Sequence, residues 1–233
     1  TALLLAGILG IVCAVAGVIF SPWLLDIMSV PEEVRTGSLI YCRIYFGGIW
    51  AMILYNMMAG VLRAFGDSKK PLYVLVVCSV VNIVADLILV GLLHTGVGGA
   101  AAATVLSQIV SVVLTAYFLV KSDFLEEKIG IRTMRICKEH MGMMINKGFP
   151  LALQSILFPI ANSIVQASIN TMGTDSIAAW GICDKLDLLI WLIADSMGPV
   201  LTTYTAQNLG AGKAKRVKKG ALIGTGLSVI AVG

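Results

Sequence analysis

Charge is scarce in this sequence, and so are aromatic rings, histidines and closely spaced cysteines. Only 13% of its 233 residues are Asp, Glu, Lys or Arg, against about 25% in a soluble globular domain. With 58% hydrophobic residues and a mean hydropathy of +0.92, the chain cannot cover itself with a water-facing surface, so lipid must cover much of it. Cys13, Cys42, Cys78, Cys137 and Cys183 form no Cys-x-x-Cys pair. Their scatter argues against a zinc ribbon or disulfide framework and leaves them as free, space-filling thiols. His94 and His140 are far apart, and no Gly-x-Ser-x-Gly, His-Glu-x-x-His or lysine-bearing phosphate loop occurs. Neither an enzyme nor a bound cofactor is expected on those grounds. The chain opens and closes inside apolar runs, without an initiating Met or a basic leader, so a piece of a longer protein is expected rather than a signal peptide.

What is present is a series of long apolar runs. Six lie at about 2–28, 38–62, 71–93, 97–120, 145–171 and 177–206, and a seventh begins near 220. Each of the six meets the roughly 20 residues that a helix needs to cross a bilayer. The expected fold class is therefore an all-α integral membrane protein, with about six full transmembrane helices and a truncated seventh. The connections test this arrangement. Segments 63–70, 121–147 and 207–219 hold fourteen Lys and Arg, whereas 20–38, 94–99 and 170–176 hold only Arg35. This asymmetry places loops 63–70, 121–144 and 207–219 in the cytoplasm and makes the plasma (inner) membrane the expected location. A nucleic-acid partner would explain one basic loop but not strict alternation, so none is expected. Small residues are dense in GVGGAAAAT and GALIGTGLS, where they let helices approach closely. Pro150, Pro159 and Pro199 fall inside spans, each removing a backbone hydrogen bond and suggesting a kink.

Polar side chains inside such spans are costly, and they point to function. Asn82 and Asp86, in SVVNIVADLILV, lie four residues apart on one helix face. Asp86 lies about 8 residues, or roughly 12 Å, from the turn at His94. Thr104 sits at similar depth on the next span, and Tyr41 only a few residues inside the outer boundary. Hard oxygen ligands of this kind suit Na⁺ at Asp86, and an Asp in an apolar setting suits proton uptake. The alternative is a self-satisfied hydrogen bond between helices, and the spacing alone does not bring Tyr41 to the others. A second group, Asp184, Asp187, Trp191 and Asp195, follows i, i+3, i+7, i+11 on the sixth span. It is either the wall of a cavity for a cationic, lipophilic solute, aided by the indole face, or an ion-pair network closed by Lys185. Gln154, Asn162, Gln166 and Asn170 mark an inward-facing side of the fifth span, and Arg43 sits where it would snorkel.

The run RAFGDSKKPLYVLVVCSVVNIVADLILV, followed by GVGGAAAATVLSQ and later by AQNLGAGKAKRVKKG, resembles the multidrug and toxic compound extrusion (MATE) transporters. The resemblance implies a twelve-helix, two-lobe antiporter, of which this chain would supply helices three to eight and the start of nine. Residues 1–120 would belong to the N-lobe, 121–144 would be a cytoplasmic inter-lobe linker, and 145–233 would open the C-lobe. GALIGTGLSVIAVG faintly echoes LLLAGILGIVCAVAG, as a lobe repeat would. In the DinF-like branch an N-lobe cation site joins a Tyr, an Asn-x-x-x-Asp pair and a Thr, matched here by Tyr41, Asn82, Asp86 and Thr104. Its further Asp, on the family's first helix, lies outside this chain. The NorM-like branch couples through a Glu on the seventh helix, but Phe158 stands at about that place, which favours the DinF-like pattern. The function so implied is efflux of small organic, often cationic compounds coupled to H⁺ or Na⁺. Its partners would be those substrates, membrane lipid and the missing helices of the same chain. A flippase for lipid-linked or polysaccharide intermediates is the alternative, although such proteins place basic residues centrally. An intramembrane enzyme or structural subunit is a third reading, and it lacks a nucleophile.

Overall fold

In lipid, apolar runs of this length can satisfy their backbone groups only as helices or closed barrels, and here they are helices. The computed structural model describes residues 1–27, 30, 32–122, 137–170, 172 and 174–232. Among them are α1 (Ala2–Ile27), α2 (Glu32–Ala64), α3 (Lys69–Asp86), α4 (Gly96–Val120), α5 (Lys138–Asn170), α6 (Thr174–Gly210) and α7 (Ala214–Val232). A π-helical segment, Leu87–Leu92, extends α3. Six of these helices are long and apolar enough to cross a membrane, so the chain is a multi-pass helical membrane protein.

Four boundaries differ from expectation, and one of them is α7, which begins at Ala214 rather than near 220, inside the loop expected at 207–219. α2 begins at Glu32 rather than near 38, with Glu33 also in its first turn, where the helix dipole favours carboxylates. α5 begins at Lys138 rather than near 145, again with an acid, Glu139, in the first turn. The HTGVGG separator shrinks to His94–Thr95 because α4 already starts at Gly96. A Cβ at Gly98 would lie 3.2 Å from Ile40, so this glycine lets α4 approach α2. The linker expected at 121–144 falls mostly outside the described residues.

Hydroxyls and glycines repair the backbone where the sequence breaks it. Pro22, inside α1, cannot donate to the Val18 carbonyl, and the buried Ser21 Oγ donates there instead at 2.8 Å. Gly66 (φ 88°) closes the turn after α2, with the Gly66 amide donating to Arg63 O (2.9 Å) and the Asp67 amide to Leu62 O (3.0 Å). This is a Schellman turn, and Gly212 (φ 72°) closes α6 by the same construction. The Asp67 carboxylate then accepts the Lys70 amide at 3.2 Å and pairs with Lys70 Nζ at 2.8 Å. The Lys70 hydrogen bonds hold the Asp67 carboxyl below its ordinary range.

By contacts the chain divides into Thr1–Met141 and Gly142–Gly233. In the first unit α2 packs between α1 and α4, and α4 also carries α3. Gly10 and Gly17 of α1 meet Trp50 and Phe46 of α2, and a Cβ at Gly48 of α2 would overlap the Val105 side chain of α4. α4 buries Gly99, Ala103, Ser107, Ser111, Thr115 and Leu119, one residue every fourth position, a small-residue seam that makes this approach feasible. In the second unit Gly220 and Gly224 of α7 accept Tyr204 and Leu201 of α6 in the same way. Pro150, Pro159 and Pro199 lie within α5 and α6, which continue through them.

Candidate functional site

The polar residues of α2, α3 and α4 converge in the first unit. They line a cleft of about 380 Å³ with Met52, Tyr55 and Asn56 on α2, Leu75, Cys78, Ser79 and Asn82 on α3, and Thr104, Ser107, Gln108 and Ser111 on α4. At about 30 Å³ per water, that volume has room for roughly a dozen molecules. Two apolar clusters pack around the same helices toward Leu62 and Leu119. One joins Tyr55, Ala59, Val74 and Cys78, and the other Met58, Leu62 and Leu119.

Most hydroxyls around the cleft are satisfied by their own helix. Thr104 Oγ1 donates to Ala100 O (3.0 Å), Ser107 Oγ to Thr104 O (2.8 Å), Ser111 Oγ to Gln108 O (2.6 Å), and Asn56 Nδ2 to Met52 O (2.9 Å). Such local bonds leave lone pairs free and consume the protons. Asn82 and Asp86 behave differently. Asn82 Nδ2 and Asp86 Oδ1 are both buried, and neither has a hydrogen-bond partner among the described residues. Buried polar atoms are overwhelmingly paired, and leaving one unmade costs about 1–3 kcal/mol, more for a charge. One helical turn apart, an amide donor and a carboxylate oxygen thus stand ready for a species these residues do not supply. Asp86 is also the last α-helical residue before the π segment, an irregularity that often marks functional sites.

Of the residues singled out from sequence, Asn82 and Thr104 share the cleft, and Asp86 stands one turn beyond Asn82. Tyr41 is not among the cleft-lining residues. It stacks on Tyr45 (5.9 Å between centroids), which lines a narrow fissure beside Thr104 and Gln108. In the second unit Asp184, Asp187, Trp191, Asp195 and Gln154 are all exposed, and Trp191 lies 4.8 Å from the Phe158 ring. No ion pair joins Lys185 to Asp184 or Asp187 among the described residues. Reading the sequence missed Asn56, Gln108 and the serines Ser79, Ser107 and Ser111. An amide inside an apolar run was the available signal for the first two.

A multi-pass helical bundle with a polar cleft and a buried carboxylate oxygen that has no partner among the described residues is the build of a membrane transporter. The MatE family model matches residues 1–88 and 150–232, and the chain belongs to that family. It is 32% identical over 236 residues to the probable multidrug resistance protein YoeA of Bacillus subtilis (strain 168), covering 99% of this chain and 51% of that one. It is 26% identical to the FAD transporter of Shewanella oneidensis (strain MR-1), covering 95% of this chain and 50% of that one. Its fold matches the outward-facing conformation of a multidrug resistance MATE family transporter at a TM-score of 0.89 and 24% identity, covering 98% of this chain and 51% of that one. The chain thus spans about half the length of these relatives.

Proposed function

We propose that the chain forms part of a cation-coupled antiporter that exports small organic compounds by alternating access. The observation that carries this reading is that Asn82 Nδ2 and Asp86 Oδ1, beside the polar cleft, are both buried without a partner among the described residues. Asp86 would take up the coupling H⁺ or Na⁺, Asn82 would orient the occupied carboxyl, and Thr104 would offer an oxygen from α4. Tyr41 would act from its stack with Tyr45 at the outer part of α2. An ion bound in one helix packing and not the other shifts the equilibrium between them, and that difference drives export.

The substrate reading rests on sign of charge. Asp184, Asp187 and Asp195 form no ion pair among the described residues and have Trp191 among them on α6. This favours cationic, lipophilic cargo over an anion such as the one named for the Shewanella relative. The loop asymmetry favours an orientation with 63–70, 121–144 and 207–219 on the cytoplasmic side. The test is efflux by membranes carrying Asp86→Asn. Loss of efflux driven by either a pH or a Na⁺ gradient is expected, and the gradient that drives the unsubstituted protein identifies the ion. Unimpaired efflux with Asp86→Asn would remove the coupling role.

A further inference from the structure

Five cations crowd the start of α7: Lys213, Lys215, Arg216, Lys218 and Lys219. All are exposed, none forms an ion pair among the described residues, and no Asp or Glu occurs anywhere in 196–233. Orientation by positive charge does not require this density, because 63–70 and 121–147 supply nine further cations on the same side. Nor does the helix favour it, since the N-terminal end of a helix dipole repels cations. Among the described residues the cluster therefore has no counter-ion, and its helix offers no local reason for it.

The packing of α7 sorts these residues by face. Val217, Gly220, Gly224 and Ser228 are its less exposed stripe, with Gly220 and Gly224 against Tyr204 and Leu201 of α6. At 3.6 residues per turn, Lys215, Lys218 and Lys219 point the opposite way. The same outward face continues through Leu222, Val229 and Ile230, which are 76%, 65% and 79% exposed. From Lys219 to Ile230 the helix rises about 16 Å, close to the roughly 15 Å hydrocarbon depth of one leaflet. A cationic collar stands directly above an apolar strip one acyl chain long.

We propose that this face of α7 docks an anionic phospholipid of the cytoplasmic leaflet, its phosphate against Lys215, Lys218 and Lys219 and its acyl chain along Leu222, Val229 and Ile230. The charge supplies the recognition. Each basic side chain near an anionic membrane surface adds about a fivefold factor in binding. The strip supplies the choice of lipid over a soluble phosphate, because only a lipid covers both parts.

The test uses the protein extracted from membranes into detergent and titrated with dioleoylphosphatidylglycerol or dioleoylphosphatidylcholine, with bound lipid counted by native mass spectrometry. K215Q/K218Q/K219Q should weaken phosphatidylglycerol binding by roughly 10- to 100-fold and leave phosphatidylcholine binding unchanged. K121Q/K138Q/K147Q, which removes the same charge elsewhere, should retain it. If the triple-glutamine protein is not recovered folded, K218Q and K219Q singly carry the same comparison at about fivefold each. Equal phosphatidylglycerol binding in wild type and glutamine variants overturns the proposal, as does equal loss in the control triple. Displacement of the lipid by millimolar inorganic phosphate also overturns it, because the strip would then contribute nothing. Acidic side chains from another part of the protein covering these lysines would appear as the first of these outcomes.

Discussion

Adding one methyl group at Gly48 tests how the first unit is held together. Gly48 is buried on α2 where α4 crosses, and a Cβ there would overlap the Val105 side chain and come 3.0 Å from its Cβ. In isolation Gly→Ala inside a helix is favourable by about 1 kcal/mol. Overpacking a filled contact costs about 1–3 kcal/mol, so the net expectation is a loss of about 0–2 kcal/mol. For a chain of this size that is about 2–4 °C in Tm per kcal/mol. The assay is thermal unfolding of the purified protein in detergent, run as a double-mutant cycle. Val105→Ala alone removes packing, and G48A/V105A should recover at least about 1 kcal/mol relative to the sum of the two single changes. Gly47→Ala and Gly60→Ala are the controls, since a Cβ at either meets nothing within 4 Å. They should be neutral or raise stability by about 0.4–1 kcal/mol. If Gly48→Ala behaves like these controls, or if its cost adds simply to that of Val105→Ala, the close approach of α2 to α4 is refuted.

Two further perturbations follow from the backbone repairs. Ser21→Ala strips the Val18 carbonyl of its donor beside Pro22 and should cost about 1–3 kcal/mol. S21A/P22A should recover most of that, because replacing the proline restores a backbone N–H at position 22. Equal melting temperatures for S21A and S21A/P22A would show that the hydroxyl is not the substitute. Asp67, outside the membrane spans, has its carboxyl held down by Lys70, so the folded state binds its proton less readily than the unfolded chain. Its contribution is present above the unfolded carboxylate value of about 3.9 and is lost as pH falls through the lower folded value. For a partly exposed pair at a helix end it should be under about 1 kcal/mol. The melting-temperature gap between wild type and Asp67→Asn should be constant from pH 7 to 5 and shrink below pH 4, and a gap independent of pH would contradict this.

What could be read without coordinates was what lipid and the dielectric boundary impose. Every apolar run predicted to span proved helical, because a backbone in hydrocarbon has no other way to pair its polar groups. Asn82, Asp86 and Thr104 were legible too, since a lone polar or ionisable group in a 20-residue apolar stretch is visible by contrast with its neighbours. Helix ends were less legible. The first turns at Glu32 and Lys138 are polar, and a helix that projects into water carries no hydropathy signal there.

Tertiary structure decided what linear spacing cannot express. Only packing shows that Gly48 meets Val105, that Gly220 meets Tyr204, and that Asn56 and Gln108 face the same cleft as Asn82. It also separated the two acidic groups, leaving Asp184, Asp187 and Asp195 exposed on α6 while burying an oxygen of Asp86 without a partner among the described residues. The π segment after Asp86 was hidden for the same reason. Its residues, LILVGL, are ordinary helix formers or glycine, and the register change depends on how α3 reaches the Thr95 turn. Thr95 donates to Leu89 O from both its amide (3.0 Å) and its hydroxyl (2.5 Å). The solvent a residue must tolerate is written in its own side chain and those of its sequence neighbours. The partner it meets depends on where another helix places its small residues.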